Sequence, residues 1–178
     1  VGPALGTPDD LSIRPVRRDE LGDAAGVAAV LNGVIAEGHT ALAGHFSPEA
    51  ELAFLQSIGP RSELFVAEVG GQIGGFQVIE PFVAYTPTMD HVCQLATYVQ
   101  AGLRGRGIGQ RLAQTTFAFA RAYGYEKAVI FVLAANQGGL AYYRGLGFEE
   151  RGILTRQTKI DGVYHDEVFM EMQFGDAG

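Results

Sequence analysis

Apolar and polar positions change their period several times along the chain, and each change marks an element. LSIRPV, residues 11–16, alternates apolar with polar side chains and predicts a first strand. From Asp19 to Glu37 the apolar positions Leu21, Val27, Val30, Leu31, Val34 and Ile35 return at helical spacing. Ser47 followed by Pro48 predicts a second helix, with the serine as N-cap and the proline in the first helical position. LFVAEV and QIGGFQVIE, joined by Gly70-Gly71, predict a β-hairpin, because two glycines accept the positive φ of a two-residue turn. Gly74 and Gly75 in its second arm point to a bulge or a close backbone neighbour.

HVCQLATYV (91–99) is rich in β-formers and predicts another strand. The next helical pattern runs from about Ile108 to Tyr123, with Ile108, Leu112, Thr116, Phe119 and Tyr123 as its buried stripe and Gly124 as a C-cap. KAVIFVLA (127–134) is almost continuously apolar, as a strand buried on both faces must be. Asn136 to Gly145 predicts a shorter helix, and FEERGILTRQTKI with VYHDEVFMEMQF predicts a last hairpin around Asp161-Gly162. This order predicts an α+β fold with a mixed sheet and one strand–helix–strand unit in its second half. The chain shows no repeat and no low-complexity linker. A single domain is therefore expected over residues 10–174, after a flexible leader at 1–9.

The stretch LRGRGIGQRL, Leu103 to Leu112, lies where the strand at 91–99 hands over to a helix. Glycine weakens a helix and clustered arginines repel, yet both stand at a helix mouth. A docked anion accounts for the pairing: a helix N-terminus offers unpaired N–H donors and partial positive charge, and glycine lets a phosphate approach them. Gly105, Gly107 and Gly109 supply the bare backbone, Ile108 can anchor in the core, and Arg104 and Arg106 would add charge-assisted contacts to a pyrophosphate. A Walker A loop is disfavoured, since Ile108-Gly109 replaces its Lys-Ser/Thr pair, and a dinucleotide fingerprint fails at Gln110, where its third glycine belongs. The pattern that remains is R-x-x-G-x-G, met by Arg104, Gly107 and Gly109. A glycine-rich turn with solvated arginines is the plainer alternative.

VQAGLRGRGIGQRL resembles the acetyl-CoA-binding motif of the GCN5-related N-acetyltransferase (GNAT) family. NQGGLAYYRGLGFEERG (136–152) resembles that family's next segment, through Asn136, Tyr143, Gly147 and Phe148 at matching spacing. Two motifs in the right order make coincidence a poor explanation. The resemblance covers most of residues 11–173. It departs at Gly138-Gly139, where relatives carry better helix formers.

The resemblance implies a mostly antiparallel mixed sheet with helices on both faces, in which strands 92–99 and 127–134 run parallel and splay apart at the acetyl-CoA site. It implies transfer of an acetyl group from acetyl-CoA to a small primary amine by direct attack, with the amino-acid or phosphinothricin-like branch as the nearest match. The alternatives are a peptide N-terminus as acceptor, or a non-catalytic CoA-binding module. Main-chain amides of residues 104–109 would hold the pyrophosphate, Asn136 the pantetheine arm, and an N–H between Thr97 and Val99 the oxyanion. Tyr143 would be the general acid for the departing thiolate, since a phenol near pKa 10 is a credible donor to a thiolate near 8.5. Tyr142, about 100° round the helix, should then face elsewhere. The base is not fixed, because HVCQLATYV carries no carboxylate; Glu37 is the first choice, ahead of Glu80, His91 and His165.

Composition narrows the field further. Apolar residues make up 47% and charged residues 19%, a globular balance, and the net charge of −7 argues against a general nucleic-acid binder. Cys93 is the only cysteine, so an internal disulfide is excluded and a reducing, cytoplasmic setting is expected. It reads as a small buried thiol rather than a nucleophile. The four histidines show no zinc spacing, so no metal is expected. No run is long and apolar enough for a membrane helix, and a homodimer is left open.

Overall fold

The computed structural model describes residues 10–175; the leader expected at 1–9 lies outside them. In chain order the elements are β1 (Ser12–Pro15), α1 (Leu21–Ala36), α2 (Pro48–Ser57), β2 (Glu63–Val69), β3 (Gln72–Pro81), β4 (Val92–Val99), α3 (Ile108–Ala122), β5 (Lys127–Leu133), α4 (Gln137–Gly145), β6 (Glu149–Ile160) and β7 (Val163–Gln173). The strands form one seven-stranded sheet in the order β1-β2-β3-β4-β5-β7-β6. Every neighbouring pair is antiparallel except β4 and β5, whose parallel pairing needs the crossover that α3 provides. This is the α+β mixed sheet that the periodicities predict.

Strand alternation decides which helix covers which face. Leu64 and Val66 of β2 join Val27, Val30 and Leu31 of α1 and Leu55 of α2 in one core cluster. Phe65 and Ala67, one residue out of step, join Ile108 and Leu112 of α3 in another. A third cluster links α4, through Leu140 and Tyr143, to β4, β5 and β7 on the side where α3 contributes Ala120. Helices therefore cover both faces, α1 and α2 on one and α3 and α4 on the other. Each fully buried Leu or Val contributes roughly 1.5–3 kcal/mol of transfer free energy to this arrangement.

Two expected core positions shift. Tyr123 is 47% exposed, stacked on Phe119 at the end of α3, and Ala120 takes the inward place one turn earlier. Leu21, at the first position of α1, is also half-exposed because the sheet begins to cover that helix one turn later. The hairpin glycines act as the sequence suggests. Gly74 is the bulged residue, skipped as the β2–β3 register jumps between Ala67 and Glu68, and a Cβ on Gly75 would stand 2.9 Å from the Tyr98 carbonyl.

Candidate active site

β4 and β5 are paired only through Val92–Lys127, Cys93–Ala128 and Gln94–Val129. Beyond that they part, because β4 stays with β3 as far as Val99 while β5 stays with β7 along its whole length. The antiparallel ladder then fixes what faces the gap. Phe82 donates to the Val92 carbonyl and Gln100 to the Gly74 carbonyl, so the even-numbered residues of β4 bond β3. Leu95, Thr97 and Val99 turn their main-chain groups toward β5, where the partner strand has left. A cleft of about 740 Å³ opens there, lined by the ends of β4 and β5, the start of α3, α4 and residues 39–42.

The mouth of α3 closes one end of this cleft. Gly107 is its N-cap, at φ 76°, a left-handed conformation that glycine takes without strain, and no side chain caps the helix. Arg111 makes the first helical bond, to the Gly107 carbonyl, leaving the N–H groups of Ile108, Gly109 and Gln110 ahead of the ladder. Gly109 has a different reason to be glycine: a Cβ there would meet the Tyr142 ring at 2.8 Å. The Tyr142 hydroxyl donates to the Gly109 carbonyl at 2.8 Å, tying α4 to α3.

The arginines of the loop divide. Arg104 lines the cleft but is held: its Nε donates to the Val99 carbonyl at 2.9 Å, and its two terminal nitrogens grip both oxygens of Glu37 at 2.6 and 2.9 Å. Arg106 does not line the cleft, and its buried Nε finds no partner among the described residues.

Across the cleft, α4 presents side chains. Tyr143 is buried, and its hydroxyl donates to Thr97 Oγ1 at 2.9 Å. Burial raises both tyrosines, Tyr142 to about 12 and Tyr143 further, so each keeps its proton at neutral pH. Both line the cleft, in edge-to-face contact with each other, so Tyr142 does not turn away as helical spacing suggests. Asn136 is the N-cap of α4: its Oδ1 accepts from Gly139 N at 2.8 Å, while Nδ2 donates to the His39 carbonyl at 2.9 Å. Gly139 is what lets that amide fold back, since a Cβ there would lie 2.8 Å from Nδ2.

A parted parallel strand pair, a glycine-capped helix mouth and a buried tyrosine beside it match what the two sequence motifs imply. The profile of the Acetyltransferase (GNAT) family matches residues 35–148. The chain belongs to the GNAT family. It is 26% identical over 153 residues to YwnH of Bacillus subtilis, provisionally named a phosphinothricin acetyltransferase, covering 85% of this chain and 93% of that one. It is 28% identical over 112 residues to an L-methionine sulfoximine/L-methionine sulfone acetyltransferase of Pseudomonas aeruginosa, covering 61% of this chain and 63% of the relative. A Salmonella typhimurium structure holding acetyl-CoA as its cofactor superposes with a TM-score of 0.83 at 17% identity, over 96% of this chain and 97% of that one. The protein is thus an acetyl-CoA-dependent GNAT N-acetyltransferase, with acetyl-CoA as the family's cosubstrate.

Within this GNAT cleft the expected bases are scattered. Glu37 is not among the lining residues and has both oxygens on Arg104. Glu80 accepts from Gln94 Nε2 at 2.6 Å, outside the cleft. His91 and His165 do not line it either. Cys93 is fully buried, donates to the Lys127 carbonyl at 3.4 Å and is pushed up to about 12 by burial, so it remains an inert thiol. Among the described residues no group of three or more metal-ligating side chains gathers, and no helix is long and apolar enough to cross a membrane.

Two groups near the cleft belong to neither sequence motif. His39 lines the cleft and is the only histidine that does. Gln77 is wholly buried on β3, where a polar residue at an inward position between Phe76 and Val78 was the available signal.

Proposed function

We propose that this GNAT enzyme acetylates the amine of a small amino-acid-like acceptor that carries its own negative charge. One observation supports the acceptor class. Among the described residues no Asp or Glu lines the cleft, so a polycationic amine would meet no carboxylate there. Relatives named as acetyltransferases of phosphinothricin and of L-methionine sulfoximine, both amino-acid analogues, point the same way.

The residues fit acetyl-CoA as follows. The N–H groups of Ile108, Gly109 and Gln110, with those of the glycine turn at 104–107, would hold the diphosphate, as an uncapped helix mouth does. Leu95 and Thr97 offer main-chain N–H and C=O groups to the amides of the pantetheine arm. An N–H of the same edge, between Thr97 and Val99, would steady negative charge on the thioester oxygen. When bound, acetyl-CoA supplies the thioester that the amine attacks. Tyr143 holds a proton for the sulfur. Proton acceptance passes from Glu37 to His39, or to water beside it, since His39 lines the cleft where Glu37 does not and an imidazole nitrogen can accept a proton. Glu37 instead fixes Arg104 at the rim.

CoA thiol release from acetyl-CoA, measured over a panel of L-methionine sulfoximine, phosphinothricin, ordinary amino acids, spermidine and an alanine-initiated peptide, tests the reading. The amino-acid analogues should turn over fastest. Faster turnover of spermidine or the peptide would overturn the acceptor class, and CoA binding with no turnover across the panel would leave only a binding module. His39→Ala should lower kcat at neutral pH by roughly tenfold, the low end for a proton-transfer group. The gap to wild type should close as pH rises and the amine deprotonates unaided.

A further inference from the structure

A polar line crosses the sheet below the cleft, through surroundings that are otherwise apolar. Gln77 on β3 is 0% exposed and stands directly opposite Thr97 on β4. Its Nε2 donates to Thr97 Oγ1 at 2.7 Å, and the Tyr143 hydroxyl donates to the same oxygen at 2.9 Å. Gln77 Oε1 has no hydrogen-bond partner among the described residues. An orphaned buried carbonyl costs about 1–3 kcal/mol, and a methionine would fill the same volume without that penalty. Packing therefore does not explain Gln77. Its hydrogen bond is to the Thr97 hydroxyl, which in turn accepts from Tyr143, and the Tyr142 hydroxyl lies close to both Gln77 and Thr97.

A threonine hydroxyl has one hydrogen and two lone pairs. With one lone pair given to the Gln77 amide, the group can face Tyr143 either as acceptor or, after rotating about its Cβ–Oγ bond, as donor. We propose that Gln77 and Thr97 are positioning residues for Tyr143: Gln77 anchors the threonine oxygen, and Thr97 reverses its hydrogen bond when Tyr143 gives up its proton. The inference rests on Tyr143 being the acid. In the resting state Tyr143 donates to Thr97. As the C–S bond breaks, the Tyr143 O–H bond breaks and an S–H bond forms on CoA. Thr97 turns its own hydrogen to the phenolate and keeps it. The phenolate then takes back, through solvent, the proton that the acceptor nitrogen lost. The switch is a rotation, and no proton leaves Thr97.

Kinetics of Thr97→Val, Thr97→Ser, Gln77→Met and Tyr143→Phe, with the best acceptor from the panel, test this. Thr97→Val should lower kcat roughly 10- to 100-fold, the size of one hydrogen bond to a charged group. KM for acetyl-CoA should stay within about twofold, because the bond matters only in the transition state. Thr97→Ser should recover most of the loss. Gln77→Met should lower kcat by a smaller factor, roughly 3- to 10-fold, as an anchor rather than the donor. In a Tyr143→Phe background, Thr97→Val should have no further effect, the mark of two residues acting as one unit. Tyr143→Phe impaired with Thr97→Val at the wild-type rate would overturn the switch and leave the acid standing. Additive losses would overturn it too, because Thr97 would then act elsewhere. A wild-type rate for Tyr143→Phe would remove the acid and the switch with it. Thr97→Ser and Gln77→Met keep the test decisive should Thr97→Val fail to fold.

Discussion

α3 and α4 turn their N-termini toward the same cleft, and they are finished in opposite ways. α3 begins at a left-handed glycine with no side-chain cap, so its first N–H groups face outward. α4 begins at Asn136, whose side chain folds back to satisfy Gly139 N, so its mouth is closed by its own sequence. What α4 offers the cleft is side chains, Tyr142 and Tyr143. One helix therefore presents its backbone to the cleft and the other its phenols. The two are joined where the Tyr142 hydroxyl meets the Gly109 carbonyl. A substitution should report on binding when it crowds α3 and on chemistry when it trims α4.

The largest effect should come from α4. Tyr143→Phe keeps the ring in its buried place and removes only the hydroxyl, so kcat should fall roughly 100-fold or more with acetyl-CoA affinity little changed. Steady-state kinetics beside a CoA binding isotherm separate the two, and a loss confined to affinity would erase the distinction between the helices.

Gly109→Ala probes the joint. The new methyl must displace the Tyr142 ring, so stability should drop by about 1–3 kcal/mol, the usual cost of overpacking, and CoA binding should weaken with it. Denaturant melts and calorimetry check both. A neutral result would mean that the ring can yield and that Gly109 is glycine for the ligand alone. A side chain at Gly107 would be a poorer probe, because its φ of 76° strains any other residue and confounds folding with binding.

Tyr142 gives a pH signature. Burial raises it from 10 to about 12, so between those values the unfolded chain loses a proton that the folded one keeps. Stability present below pH 10 should therefore decline as pH rises through that window, by up to about 1.4 kcal/mol per pH unit from this group. Tyr142→Phe should flatten the decline in denaturation curves taken across the alkaline range. Parallel curves for the two proteins would place the loss elsewhere.

The smallest effect should come from the closed mouth. Asn136→Ala should destabilise by about 1 kcal/mol, as loss of an N-cap does, while CoA affinity changes little. A large loss of affinity at full stability would return Asn136 to the pantetheine arm and blur the contrast between the helices.

Local periodicity was enough for the elements, because residues 11–16, 63–81 and 108–122 carry patterns that only one secondary structure can bury. The hairpin turns at Gly70-Gly71 and Asp161-Gly162, the Ser47 cap and the α3 C-cap at Gly124 were legible for the same reason: each is a short-range demand of the backbone. The site was legible only in part. LRGRGIGQRL and Asn136 with Tyr143 announced a cleft between two helices, but not what fills each valence. Charge pairing ties Arg104 to Glu37, and the two lie 67 residues apart, beyond any local pattern.

The sequence by itself determined the order of elements and the glycine turn ahead of α3, since both follow from φ preferences and from which residues avoid water. Only the tertiary structure decided where β4 parts from β5, which main-chain groups face the gap, and that Gln77, Thr97 and Tyr143 meet on one oxygen. Those facts depend on register between strands and on a helix returning from 46 residues along the chain. Hydrogen bonds of this kind form only when distant segments are brought within about 3 Å, and no spacing along one strand encodes that distance.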